Sequence, residues 1–340
     1  MPKTTRSSSR GTKRKARVAE KKKTKGRAPV PSRPVSALSC NMAYVCAALA
    51  GFWAFQNAGG VTLLSDYGWN SNPFWKGIFA SVVATVTVWF FSVFNNNSSI
   101  YDPFWVVAPP ALAVLLKSSN DSDRANVWHG RQILILLSLL SWSCRYHVFY
   151  PWAGWWTGLT EEDWRYEDMR SAPIPYWFNS LLNMHMFPTV LVYFAFAPAA
   201  LVLTRAVEDQ PELGLIDGLG FLLSITAVAI QYFADQQLRN FRATGSYKKG
   251  ISFQSGLWKY SRHPNYFGET LFWISMIPYS IGSTDYESYT KLCVIGPIVM
   301  FLFFRFSSTL MDARSLKHRP DYQRVIDETS CMVPWWPKQC

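Results

Sequence analysis

Charge is scarce in this chain: Asp, Glu, Lys and Arg make up only 16% of its 340 residues, and five residues are histidine. Acid is scarcest at the N-terminus, where residues 1–33 hold Glu20 alone against 13 Lys and Arg, a surplus equal to the whole net charge of +12. The remainder has 21 residues of each sign and is neutral. Cys40, Cys46, Cys144, Cys293, Cys331 and Cys340 include no CxxC pair and no metal-ligand spacing, so neither a zinc site nor a disulfide framework is expected. No internal repeat is visible, which argues against a transporter of symmetric halves. No apolar run carries the regular ionisable residues that would outline a conduction path.

What is abundant is apolar and aromatic. A mean hydropathy of 0.00 averages the polar tail with a far more apolar body, which holds nearly all of the 16 Trp, 16 Tyr and 23 Phe. A bilayer crossing needs roughly 20 apolar residues. Eight runs near that length are centred on residues 38–56, 74–94, 103–117, 130–150, 177–203, 215–235, 267–283 and 290–308. The third is short and contains Pro109-Pro110, so it is expected to be bent or re-entrant. The sequence therefore predicts an all-α fold, a polytopic transmembrane bundle of seven or eight helices over residues 38–340, behind a disordered basic tail over residues 1–37.

With Lys13-Arg14-Lys15 and Lys21-Lys22-Lys23 among small polar residues, the tail cannot bury enough apolar surface to fold. It has no signal-peptide core. A solvated cytosolic tail that fixes orientation, or an arm held near anionic lipid, suits it better than nucleic-acid binding, for which it lacks stacking aromatics. An eight-span count puts residues 151–176, 236–266 and the C-terminus on the tail's side, together with most remaining basic residues. Of the sequons at Asn97 and Asn120, only Asn120 then faces a glycosylating compartment. Arg145 and His147, costly against lipid, are expected to point inward or reach the surface, where Asp163 and Glu167 are potential partners.

Chemistry concentrates between Asp235 and Glu269. The cations Arg239, Arg242, Lys248, Lys249, Lys259 and Arg262 suit a ligand carrying several phosphates. Tyr247, Trp258, Tyr260 and Tyr266 offer faces for a flat ring. A positively charged cytosolic loop with interfacial aromatic anchors has the same composition. The run from Gly256 through Trp258, Lys259, Tyr260, Ser261, Arg262, His263, Pro264, Asn265, Tyr266, Phe267 and Gly268 to Glu269 is a longer and more specific word. It resembles the signature of the DUF1295 family, which belongs with the steroid 5-alpha-reductase superfamily. The resemblance extends to Ser99 through Trp105, Glu162 through Arg170, Asp235 through Arg242 and Met311 through Pro337, about residues 95–338.

That resemblance implies a helical reductase of the endoplasmic reticulum, with N-terminus and cofactor site facing the cytosol. It implies that NADPH reduces a carbon–carbon double bond conjugated to a carbonyl in a sterol, steroid or polyprenoid-like lipid. By the same resemblance Asn265, Tyr266 and Glu269 contact the cofactor, with Trp258 and Lys259 beside them. Arg239, Arg242, Arg262 and Arg314 are candidates for its phosphates, and Asp235 for its ribose or for orienting an Arg. His263, Tyr266, Tyr101 and Asp102 are the catalytic candidates. A His before Pro at a helix entrance is more often a structural hydrogen-bonder, and Tyr101 with Asp102 reads equally as an interfacial Tyr and a turn cap before Pro103.

Two departures matter. The steroid enzymes hold the substrate carbonyl with a Tyr and a Glu from early helices, and residues 38–100 contain no such pair. The His263-Pro264 element belongs to the DUF1295 branch. Two rival functions remain open. One is an S-adenosylmethionine-dependent membrane methyltransferase of the isoprenylcysteine or phospholipid type, whose paired glutamates are replaced here by Met311-Asp312-Ala313-Arg314. The other is a non-catalytic sterol-binding or scaffold protein, for which the basic tail would serve recruitment. Oligomeric state is not legible.

Overall fold

A computed structural model describes residues 34–60, 72–119, 127–149, 158–246, 250–283 and 286–338. The basic tail, the sequon at Asn120, and Tyr247, Lys248 and Lys249 lie outside the described residues. Among these the fold is helical: α1 Ala37–Asn57, α2 Pro73–Asn95, α3 Tyr101–Ser118, α4 Gly130–Phe149, a short α5 Trp164–Arg170, α6 Tyr176–Leu203, α7 Leu215–Ala243, α8 Pro264–Ile274, α9 Ile277–Gly282, α10 Tyr286–His318 and a short α11 Tyr322–Glu328. Helices α1, α2, α3, α6, α7 and α10 are long and apolar enough to cross a membrane. Leu49 and Trp53 of α1, Leu222 and Phe233 of α7, and Leu302 and Phe306 of α10 face outward, as lipid-facing residues do.

Hydrogen bonds between connections identify two ends of the bundle. At the first end Val35 pairs with Leu159, the Ser98 amide donates to Glu162 at 2.6 Å, and the Arg262 amide donates to the Ser330 carbonyl at 2.9 Å. At the second end Arg131 pairs with Asp217, Gln132 donates to the carbonyls of Val202 and Arg205, and Arg205 donates to the Ser283 carbonyl. Helix α4 and the interrupted pair α8–α9 thus run end to end beside the six long helices. The chain makes a multi-pass bundle with both described termini at the first end. Pro278, in the first turn of α9, has no N–H for the preceding turn, and the crossing drawn as one over residues 267–283 breaks at Ser275 and Met276.

Local chemistry explains the packing. Ala43, Ala47 and Gly51 recur every fourth residue on the buried face of α1, which packs along α2 with Gly51 against Ala80 and Ala84, a small-residue seam that lets two membrane helices approach closely. Asn96 ends α2 in the left-handed region at φ 52°, and Arg170 holds its side chain and carbonyl. At Gly158, φ +78°, a Cβ would strike the Val35 carbonyl, so only glycine lets the chain pair there.

Three expectations are corrected. Helix α3 continues through Pro109 and Pro110 as a full-length helix rather than a re-entrant element, with both prolines buried in the bundle, where packing holds the segment. Helix α7 continues to Ala243, so Arg239 and Arg242 stand on its last turns and not in a loop. Helix α10 continues to His318, so Asp312 and Arg314 are helical as well.

Candidate functional site

Three helices each contribute side chains spaced four apart to one buried polar network near the first end. Such spacing stacks residues on one helix face. Helix α8 gives Asn265, Glu269 and Trp273; α7 gives Gln231 and Asp235; α4 gives Trp142, Arg145 and Tyr146. Glu269 is 3% exposed and accepts from the indoles of Trp142 and Trp273, at 3.1 and 2.9 Å, and from the Tyr146 hydroxyl at 2.9 Å. Arg145 lies 3.8 Å from Glu269, donates to Asp235 at 2.9 Å and Gln231 at 2.5 Å, and stacks on the Tyr146 ring. Asn265 donates to the other Asp235 oxygen at 3.2 Å. At Gly268 a Cβ would meet Gln231, so α7 and α8 approach only because it is glycine. A buried carboxylate is tolerated when donors and a cation surround it, as here.

A second cluster joins the entrance of α8 to the C-terminal segment. Asp312 accepts from Arg262 at 2.9 Å and from the Tyr322 hydroxyl at 2.6 Å, and lies 2.9 Å from His263 Nε2. Arg262 also donates to the carbonyls of Ile326 and Thr329. Burial and the Asp312 hydrogen bond push the Tyr322 phenol up, so it remains a donor. The His263 ring stacks on Tyr266 at 5.3 Å and 16°, and Tyr266 rests on Phe304.

The third cluster surrounds the start of α3. Asp102, 3% exposed, accepts from Tyr166 at 2.6 Å. Burial first, then the Asp102 carboxylate, push the Tyr166 phenol well above its ordinary value, which keeps its proton in that bond. The Arg165 guanidinium lies 5.9 Å from the centre of the Tyr166 ring and pairs with Asp163 at 2.8 Å. Tyr101 is buried, with its hydroxyl 2.8 Å from Thr189 Oγ1, and Thr85 Oγ1 is also 2.8 Å from Thr189. Thr189 spends its one proton on the His185 carbonyl at 2.8 Å, so Tyr101 and Thr85 both donate to Thr189. His185 lies in a π-helical segment, Ser180–Met186, of α6, and its ring meets Tyr101 at 4.8 Å. Such segments recur at functional sites.

These hydroxyls stand in a cavity of about 480 Å³ between α1, α2, α3 and α6, lined for the rest by Tyr44, Ser81, Tyr193 and apolar side chains including Phe104, Trp105, Val192 and Phe196. Trp105 is a shared wall: it lines the cavity and meets Trp142 at 5.6 Å and Tyr146 at 5.1 Å, both ligands of Glu269.

The structure therefore gathers Asp235, Asn265 and Glu269 in one network, Arg262 and His263 on Asp312 with Tyr266 between, and Tyr101 with Asp102 at the cavity. Arg239, Arg242 and Lys259 point outward at the first end. Trp258 is fixed by its indole N–H to the Ala234 carbonyl at 2.9 Å. Arg314 stacks on Trp164 and lies 3.4 Å from Asp168. Tyr101 is buried rather than an interfacial anchor, and Asp102 serves Tyr166 as well as the first turn of α3. Arg145 finds its partner in Asp235; Asp163, one of the acids expected for it, pairs with Arg165. Trp142 and Tyr146 escaped the sequence reading, although their four-residue spacing on α4 was a usable signal; Tyr322 entered it only as part of the resemblance over Met311 through Pro337. Thr85, Thr189 and His185 carried none, being isolated polar residues in apolar runs.

Residues 88–329 match the family described as "Protein of unknown function (DUF1295)", and the chain belongs to that family. A relative in Schizosaccharomyces pombe, described as an uncharacterized protein, is 24% identical over 291 residues, covering 79% of this chain and 82% of its own. No solved structure matches the chain.

Proposed function

We propose that this protein is a membrane-embedded reductase, which uses NADPH to saturate a carbon–carbon double bond conjugated to a carbonyl in a sterol, steroid or polyprenoid-like lipid. The observation that carries this reading is the apolar cavity with hydroxyl donors at its inner end and Trp105 shared with the Glu269 cage. Reduction at the β carbon gathers negative charge on the carbonyl oxygen, so a donor aimed there stabilises the transition state more than the ground state. Tyr101 is such a donor. Its proton now goes to Thr189, an acceptor that a carbonyl oxygen can replace, and the dry surroundings strengthen the new bond. Asp102, Tyr166 and Arg165 hold the first turn of α3 and so act as positioning residues for Tyr101.

The residues of the first end fit a phosphorylated dinucleotide. Arg239, Arg242 and Lys259 offer exposed cations for phosphate oxygens, with the half-buried Arg314 beside Trp164 as a fourth. The Gln231 amide, buried beside Arg145, has an N–H with no acceptor among the described residues and can donate to a carboxamide. NADPH when bound would supply the hydride to the β carbon, and a proton taken up at the α carbon would complete the saturation. Asp235, Arg145 and Asn265 lock α4, α7 and α8 in register beneath it, and the Asp312 cluster fixes Tyr266 through His263. Basic connections at the first end support a cytosolic orientation of that face in the endoplasmic reticulum, with the tail fixing orientation.

The test uses full-length protein in phosphatidylcholine nanodiscs, titrated with NADPH, NADH and S-adenosylmethionine, then assayed for enone-dependent NADPH oxidation. Binding of NADPH that weakens in Asn265→Ala or Tyr266→Phe, without loss of helicity, is the expected result. Preferential binding of S-adenosylmethionine would replace the reading with methyl transfer, and binding of neither would leave a non-catalytic lipid-binding protein.

A further inference from the structure

The cavity is long, and its two ends differ. Tyr101 and Leu115 of α3 both line it. Fourteen residues of helix rise about 20 Å, so it runs along the bundle for that distance. Its hydroxyls from Tyr44, Tyr101, Thr85 and Thr189 lie toward the first end, while the far part is lined by Ala111, Leu112 and Leu115 and by Ser81 and Tyr193, whose protons are spent on the backbone carbonyls of Gly77 and Phe74.

The far part is also where the wall opens. Ala48 and Phe52 of α1 and Ala111 of α3 line the cavity and are at the same time exposed on the flank of the bundle, Phe52 by 53%. Among the long helices α1 packs along α2 and not along α3. The seam of Ala43, Ala47 and Gly51 commits one face of α1 to α2, and the gap between α1 and α3 is bordered by alanines. That gap lies midway along both helices, at hydrocarbon depth. The first helix and most of the second also precede residue 88, where the match to the family begins.

We infer that the cavity receives its lipid sideways from the bilayer through a portal between α1 and α3, polar head first, with the hydrocarbon tail left trailing through the portal. The site then selects the head at Tyr101 and Thr189 and tolerates different tails. The lips Ala48, Phe52 and Ala111 set how bulky a tail can remain in place. This rests on the cavity being the lipid site of the proposed reductase, but it needs no turnover.

The experiment compares progesterone with cholestenone, which share an enone ring and differ at the far end of the ring system, a short acetyl group against a long hydrocarbon tail. Binding to the full-length protein in nanodiscs is measured by photocrosslinking through the enone, with the labelled peptides identified by mass spectrometry. Wild-type protein is expected to bind both within about threefold and to carry the label on α3 or α6 near Tyr101 and Thr189. Ala111→Trp and Ala48→Trp, on opposite lips, are each expected to weaken cholestenone by about tenfold and progesterone by much less, the scale of blocking a few methylenes. Two lips are used so that misfolding of one variant leaves the other to decide. Unchanged cholestenone binding in the folded lip variants, equal loss of both steroids, or no binding to the wild type would each overturn the portal. Lip-dependent binding with no NADPH oxidation would support the portal while removing the reductase reading.

Discussion

Two buried ion pairs of similar composition stand at opposite ends of this bundle and are finished differently. At the second end Arg131 and Asp217 are each 1% exposed and fully used: the guanidinium reaches both Asp217 oxygens, Gln210 and the carbonyls of Pro211 and Glu212, and Asp217 also caps the Gly214 amide. At the first end Arg145 and Asp235 belong to a wider network that reaches Glu269 and Asn265, and the Gln231 amide there keeps an N–H with no acceptor among the described residues. A clamp serving only stability is expected to be closed, since every unmatched buried donor costs about 1–3 kcal/mol. The open network at the first end, beside exposed cations and one wall away from the cavity, is what a site that awaits a ligand looks like.

The comparison breaks most visibly if the second end is not merely structural. Asp217→Ala strands Arg131 in the interior and is expected to cost about 3–5 kcal/mol, read as a large fall in thermal stability in detergent, with ligand affinity of the surviving folded fraction unchanged. Reduced NADPH affinity in that fraction would end the division between a structural and a functional end. Tyr101→Phe makes the opposite claim: kcat for enone reduction falls by about 10²–10³ while the melting temperature stays close to wild type. A turnover that survives this change would remove Tyr101 from the carbonyl.

A smaller effect sharpens the contrast. Asp235→Asn and Asp217→Asn are expected to destabilise comparably, by about 1–3 kcal/mol, but only Asp235→Asn should raise the Kd for NADPH, by about tenfold. Equal Kd values would make the first-end network a clamp like the other. Smallest of all, Arg242→Ala should lower the preference for NADPH over NADH by about fivefold, the scale of one exposed charge pair. An unaltered preference assigns the extra phosphate to another cation.

Much of this architecture was legible beforehand because it rests on neighbours in the chain. The apolar runs gave the helices, and the word from Gly256 to Glu269 carried the family. The partners of its residues were not legible. Arg262 reads as a phosphate ligand by composition, yet its guanidinium meets Asp312, fifty residues on. Pro109-Pro110 reads as a bent or re-entrant element, yet α3 continues through both prolines, which are buried in the bundle.

Composition, periodicity and the distribution of charge determined by themselves a helical membrane protein with a basic leader, because each is a property of short windows and of solvent preference. The tertiary structure decided where the chemistry sits. Thr85 and Thr189 meet across 104 residues, and Trp142 reaches Glu269 across 127. Such meetings depend on the register in which whole helices pack, and a window one helix long carries no record of which face its neighbour will present.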